Sequence, residues 1–272
     1  MFFEIFFIAL VTCKTLYMSK SIAKRHQYII AKLKEQGFVN VNELSDQLNV
    51  SMVTIRKDLR LLEERNLLHR THGSASLTDP LISDRNIHEK EKIRVEQKQR
   101  IAKAAMQYVK PNDSIIIGSG STLLEFARNA LLIKPLTVIT ASLNVAQVVN
   151  TNSEIEVHQL GGVIRKSSNS AIGPFAERMM EGLSCHTLFL GIDGIDPEYG
   201  LTTTNALEAS LNQCMIKSAQ KVVVLADSTK FGKRGFGKIC DLSYVDTIIT
   251  DNEAPLQIVK KIQVLGVEVK LI

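Results

Sequence analysis

The sequence has little that would support metal or redox chemistry. Its four cysteines among 272 residues, Cys13, Cys185, Cys214 and Cys240, stand far apart. No CxxC pair and no His-x3-5-His partner completes a zinc site, so neither a metal nor another cofactor is expected, and the thiols are expected to be reduced and mostly buried in a cytoplasmic protein. A strong bias of charge is also lacking. The formal net charge of +5 is mild and its basic residues are spread along the chain, so the total identifies no nucleic-acid binder and local placement has to decide. Internal repeats and low-complexity segments are absent. No apolar run is long enough for a membrane helix: in MFFEIFFIALVTCKTLYMSK the apolar part ends before Lys14, short of the roughly 20 residues a span needs. That stretch carries Glu4 where a secretory signal is basic, and no A-x-A cleavage site follows. Residues 1–17 are therefore expected to be a dispensable apolar extension or a start artefact ahead of Met18, with no membrane partner. What is present, 45% hydrophobic and 22% charged residues, suits a folded chain with one sizeable domain and a smaller one.

The smaller domain is expected over residues 18–77. In KRHQYIIAKLKEQG the apolar Tyr28, Ile29 and Leu33 recur at near-helical spacing and Gly37 follows as a stop. VNVNELSDQLNVS predicts a short helix with Val41, Leu44 and Leu48 on one face, then a tight turn through Asn49 and Val50. Ser51 is placed to cap the next helix, in which Ile55, Leu59 and Leu62 fall toward the core while Thr54, Arg56, Lys57 and Arg60 are left on other faces. Two helices joined by so short a turn, the second with cations near its start, make a helix-turn-helix. A helix fits the major groove, residues of its first turns meet base edges, and Arg or Lys grips phosphate. LLHRTHGSASL predicts a two-stranded wing, with His69, Arg70 and His72 available to phosphates. The expected DNA-contacting set is thus Ser51, Thr54, Arg56, Lys57, Arg60, Arg70 and His72. The alternative is that Arg56, Lys57 and Arg60 form an ordinary solvated face paired with Asp58, Glu63 and Glu64.

This segment, VSMVTIRKDL above all with its Leu-rich, Arg-His-Gly ending, resembles the winged helix-turn-helix of the DeoR/GlpR family of bacterial transcriptional regulators. Ser74 stands where that family usually has a second wing glycine, and a serine fits there if the position needs no positive φ.

Residues 78–110 are expected to be a linker and coupling helix, with Pro80 in its polar start and Ile101, Ala105 and Val109 recurring before the stop at Pro111. Its charge run is expected to be a solvated helix face. Over residues 111–272, short apolar strands alternate with helical stretches: the run ending at Ile117, then LTVIT, EIEVHQL, HTLFLGI, KVVVLAD, DTIIT and VEVKLI. The alternation predicts an α/β domain with a largely parallel sheet, whose ligands bind at the carboxyl ends of the strands. There GSGSTLLEF runs from a strand into a helix, so Ser119, Gly120, Ser121 and Thr122 sit at a helix N-terminus suited to an anion. LGGVIR adds a glycine pair and Arg165, and ADSTKFG adds Asp227 and Lys230 at other strand ends.

GSGSTLLEFA, QLGGVIRKSSNSAIG, LFLGIDGIDPEYGLTT and VVLADSTKFG resemble successive signatures of the same family's sensor domain, which is similar in fold to ribose-5-phosphate isomerase and glucosamine-6-phosphate deaminase. The resemblance implies that Ser119–Thr122 hold a phosphorylated sugar, with Gly161, Gly162, Arg165, Asp193, Glu208 and Lys230 around it. LFLGIDGIDPEYGLTT looks nearest to members that handle amino-sugar or hexitol phosphates. Ala141 replaces an Asn usual in the family, which bears on which sugar fits. The deaminases carry a His just after the Asp-Gly that corresponds to Asp193-Gly194. Here Ile195 takes its place and cannot move a proton, which leaves Asp193 and Glu208 as a base pair or as partners of sugar hydroxyls. The implied function is a repressor, dimeric or tetrameric, released from its DNA operator by a sugar phosphate; the alternative is a sugar-phosphate isomerase or deaminase with an accessory DNA-binding domain.

Overall fold

The computed structural model describes residues 21–36, 38–64, 67–71, 73–76 and 84–272. The apolar extension at residues 1–17, Met18, Gly37, Pro80 and His72 lie outside them, as does the side chain of His69. The chain divides into two compact units, with the boundary between Pro80 and Leu81.

In the first unit, helices α1 (Ile22–Gln36), α2 (Val41–Leu48) and α3 (Met52–Glu64) follow one another. Their apolar stripes meet in a core of Ile29, Leu33, Val41, Leu44, Leu48, Ile55, Leu59 and Leu62, each at most 3% exposed. Caps fix the ends: Asn40 accepts from the amide of Asn42 at 2.8 Å, and Ser51 Oγ accepts from the amide of Thr54 at 3.2 Å. Between α2 and α3, Asn49 takes the left-handed conformation (φ 49°), which asparagine tolerates better than most residues. The wing departs from the two-stranded expectation. Strands β1 (Phe38–Asn40), β2 (His69–Thr71) and β3 (Ser74–Ser76) form an antiparallel sheet in the order β1-β3-β2. The extra strand forms because Val39 lies opposite Ala75 and both enter the helical core. Gly73 carries the positive φ of the wing turn, and Ser74 does not.

The second unit begins with two helices, α4 (Ile87–Glu91) and α5 (Val95–Ala105). The face of α5 bearing Ile101, Ala102 and Ala105 joins the main core with Phe126 and Phe189. Its charge run is only partly solvated, since Lys98 is buried and donates to the backbone oxygens of Ile93 and Lys90.

All seven expected strands form one parallel sheet: β4 (Ser114–Ile117), β5 (Leu136–Thr140), β6 (Ile155–Gln159), β9 (Cys185–Leu190), β12 (Ala219–Leu225), β14 (Thr247–Thr250) and β15 (Glu268–Leu271), in the order β15-β14-β12-β9-β4-β5-β6. Helices α6 (Ser121–Ala130), α7 (Leu143–Val149), α8 (Pro174–Met180), α9 (Ala206–Lys217) and α10 (Leu256–Val264) connect them. Unexpected additions are the hairpin β7 (Val163–Arg165) and β8 (Ser170–Ile172), and an antiparallel sheet of β10 (Gly194–Asp196), β11 (Gly200–Thr203) and β13 (Gly237–Cys240). Cys185 is buried and free; Cys214 and Cys240, also free, are half-buried, less sequestered than expected, and Cys13 is outside the described residues.

The strand order places the site. The chain starts at β4, builds outward to β5 and β6, then returns to the other side of β4 with β9. Loops after β4 and β9 therefore leave in opposite directions and open a crevice, the switch point at which α/β sheets bind ligands.

Candidate functional site

The loop after β4, Gly118–Gly120, and the loop after β9, Gly191–Asp193, line that crevice. They are nearly in contact: a Cβ at Gly191 would lie 2.7 Å from the backbone oxygen of Ser119. Gly120 N-caps α6, and the first helical amide to bond back is that of Leu124, to the oxygen of Gly120 at 2.9 Å. The preceding amides face an end that suits negative charge.

Five of the ten expected ligand residues join one polar network. Ser119 Oγ donates to Glu208 Oε1 at 2.9 Å, and Arg165 Nη1 donates to Glu208 Oε2 at 2.6 Å. Thr203 Oγ1 lies 2.7 Å from Glu208 Oε2 and 3.1 Å from Asp193 Oδ2, which links the two buried carboxylates. Lys90 Nζ donates to Asp193 Oδ1 at 2.8 Å, with Lys230 Nζ 3.9 Å from the same oxygen. Arg165 Nη2 also reaches Asp84 Oδ1 at 2.6 Å and Thr204 Oγ1 at 2.8 Å. Burial alone would push the Asp193 carboxyl up, but the charges of Lys90 and Lys230 and the hydrogen bonds from Lys90 and Thr203 outweigh it and hold the group below the usual carboxylate range. A carboxylate held ionised in this way makes a weak base. Ile195, where the deaminases have their His, is fully buried.

The other five are placed differently. Gly120, Ser121 and Thr122 form the start of α6, and both side chains are 8% exposed. Gly161 donates its amide to Met179 Sδ at 3.2 Å, and Gly162 (φ 149°) is required by packing, since a Cβ there would lie 2.7 Å from the oxygen of Ile172. Among the described residues, the hydrogen bonds of the network do not extend to Ser121, Thr122, Gly161 or Gly162. Asp227 is buried and caps the turn Ser228–Lys230 through the amide of Thr229 at 3.0 Å. Ala141 is buried and its backbone oxygen accepts from the amide of Ala171.

Sequence reasoning missed Asp84, Lys90, Arg94, Thr203 and Thr204. Arg94, between α4 and α5, bonds Asp251 Oδ1 and Ser228 Oγ, each at 3.1 Å. The three charged residues sit in SDRNIHEKEKIR, where more than half of the residues are charged and composition alone singles out none. Thr203 and Thr204 carried a usable signal, a threonine run at the end of the strand pair that follows Asp193.

In the first unit, Arg56, Lys57 and Arg60 are exposed on α3. Two of the acids that were to neutralise them are engaged elsewhere. Asp58 is buried and takes Arg25 through two bonds, Nε to Oδ2 at 2.7 Å and Nη2 to Oδ1 at 3.0 Å, with His26 Nε2 at 3.3 Å. Glu63 accepts both the amide of Arg70, at 2.9 Å, and its Nε, at 2.6 Å, which ties the wing to α3. Among the described residues no ion pair involves Arg56, Lys57 or Arg60. Thr54 is half-buried beside its Ser51 cap, while Met52 and Val53, which sequence reasoning passed over, are exposed apolar side chains in the same first turn.

The DeoR-like helix-turn-helix domain matches residues 25–80, and the DeoR C terminal sensor domain matches residues 93–252. The chain belongs to the DeoR family of transcriptional regulators. Full-length relatives agree with the two domain matches. A putative aga operon transcriptional repressor of Escherichia coli O157:H7 is 34% identical over 92% of this chain and 94% of its own. The HTH-type transcriptional regulator GlpR of Haloferax volcanii is 34% identical over 91% and 96%, and the glycerol-3-phosphate regulon repressor of Escherichia coli K12 is 29% identical over 87% and 94%. A solved D-ribose-5-phosphate isomerase in complex with phospho-erythronic acid aligns with 50% of this chain and 54% of its own, at 18% identity and a TM-score of 0.38. As a DeoR-family member the chain is a DNA-binding transcriptional regulator and not an enzyme. No helix among the described residues is long and apolar enough to cross a membrane.

Proposed function

We propose that this regulator is a repressor of a sugar-catabolism operon and loses its operator when a phosphorylated sugar binds in the crevice after β4 and β9. The observation that carries the reading is the Ser119–Glu208–Arg165 and Asp193–Lys230 network at the switch point, on the same chain as a helix with open cations. The amides and hydroxyls of Ser119–Thr122 receive the phosphate, and Arg165, Asp193, Glu208 and Lys230 surround the sugar. Gly161 and Gly162 lead the chain into the neighbouring β7–β8 hairpin. On the DNA side, Ser51, Thr54, Arg56, Lys57 and Arg60 face the major groove, with Arg70 and His72 of the wing near the backbone. A dimer or tetramer sets two such helices about 34 Å apart, or a multiple of it, and residues 78–110 carry the signal. A coupling of about 1–3 kcal/mol is enough.

The test is binding of the protein to duplex DNA from its own upstream region at one fixed salt, with and without a panel of sugar phosphates weighted to amino-sugar and hexitol phosphates. Specific binding weakened by one compound that is recovered unchanged is the expected result. Consumption of the compound without specific DNA binding would overturn the reading.

A further inference from the structure

Arg165 is one guanidinium held by two carboxylates of very different exposure. Glu208 approaches from the interior with a side chain 9% exposed, and Asp84 approaches from the solvent side at 43%. The Asp84 carboxylate lies in a built cradle. It takes Arg165 Nη2 at 2.6 Å from β7, Ser167 Oγ at 2.8 Å from the turn after β7, and Thr204 Oγ1 at 3.1 Å from the loop after β11. Three donors from two separate segments, the β7–β8 hairpin and the loop after β11, converging on two oxygens, are what an oxyanion needs. Asp84 belongs to neither segment. It comes from the stretch before α4, which is itself tied down by the amide of Ile87 on the oxygen of Ser167 at 2.7 Å and by Lys90 on Asp193.

The charges of the network are matched as well. Asp84, Asp193 and Glu208 pair with Arg165, Lys90 and Lys230, so each carboxylate of the network already has a cation. A phosphate brings close to two further negative charges, which repel the three carboxylates. Glu208 and Asp193 are buried, and moving either would uncover a desolvated cation. Asp84, the most exposed of the three, leaves into water at a smaller cost than either, and Glu208 stays on Arg165.

We propose that Asp84 is a built-in stand-in for the effector: it fills the cradle of Arg165, Ser167 and Thr204 in the effector-free protein, and an effector whose phosphate sits at Ser119–Thr122 and whose sugar oxygens take over these donors expels it, freeing the segment Asp84–Glu91. The mechanism rests on the sugar-phosphate reading above and adds to it where binding is felt first. The latch also explains why the charge run that opens the second unit is fastened to the crevice.

The experiment compares wild-type protein with Asp84→Asn, titrating the same sugar-phosphate panel by calorimetry and following hydrogen exchange of residues 84–91. The substituted amide keeps the shape of the carboxylate but not its charge, so its hold on Arg165 is weak and the effector meets little competition for the cradle. The expected result is affinity raised about ten-fold, because the competent state is no longer rare, with 84–91 exchanging faster in the free variant and in ligand-bound wild type. Equal or weaker affinity in Asp84→Asn, or exchange at 84–91 unmoved by ligand, overturns the latch while leaving the sugar-phosphate site standing. If neither protein binds any member of the panel, the sugar-phosphate reading falls and the latch with it.

Discussion

Replacing Lys57 or Arg56 by alanine takes a cation off the open face of α3 without disturbing its buried face. The fold should stay intact and operator affinity should fall, with the slope of log affinity against log salt shrinking by about one per lost phosphate contact; a salt titration by fluorescence anisotropy reads this, and sugar-phosphate binding should not change. Asp58, one residue along, gives the opposite outcome. It holds Arg25 inside the core, so Asp58→Ala removes a buried charge partner and should cost the first unit about 3 kcal/mol, read as a lower denaturation midpoint. Asp193 adds a pH signature. Its folded value is held below the usual 3.8 by lysines, so its stabilisation is present above that value and lost as pH falls through the depressed one. Wild type should therefore exceed Asp193→Asn in thermal stability at pH 7, with the gap closing below about pH 4.

At the scale of elements, the approach of the β4 and β9 loops is a tight constraint on the site. Gly191→Ala puts a methyl against the oxygen of Ser119 and should destabilise the second unit by about 1–3 kcal/mol; ligand affinity should fall with it, and calorimetry on the folded variant separates the two. Neighbouring elements show what sequence could and could not reveal. The five inner strands of the parallel sheet were legible because strands covered on both faces read as largely apolar runs, and the edge strands β6 and β15 because apolar and polar residues alternate in them. β1, β8 and β10 were not, since FVN, SAI and GID are too short for any periodicity and exist only because β3, β7 and β11 lie across from them. The loop Gly118–Gly120 was legible because a strand, small residues and a helix follow in order. Asp84 and Lys90 were illegible for a different reason: their partners Arg165 and Asp193 stand 81 and 103 residues away, and a charged side chain in a charged run carries no local mark of so distant a contact.

The whole molecule joins a DNA-reading unit and a sensor unit of one regulator family, and the family was legible because both units left contiguous signatures. Oligomeric order and the identity of the effector were not, because each depends on surfaces assembled from scattered residues. The third strand of the wing has a consequence at this scale. β1 leads straight into α2, and its pairing with β3 makes the helices and the wing one rigid block. Such a block works as a ruler. Operators carrying single base substitutions should lose about 1–3 kcal/mol each, whereas one base pair inserted within a half-site shifts wing and helix out of step together, and gel-shift titration should find binding to that half-site gone.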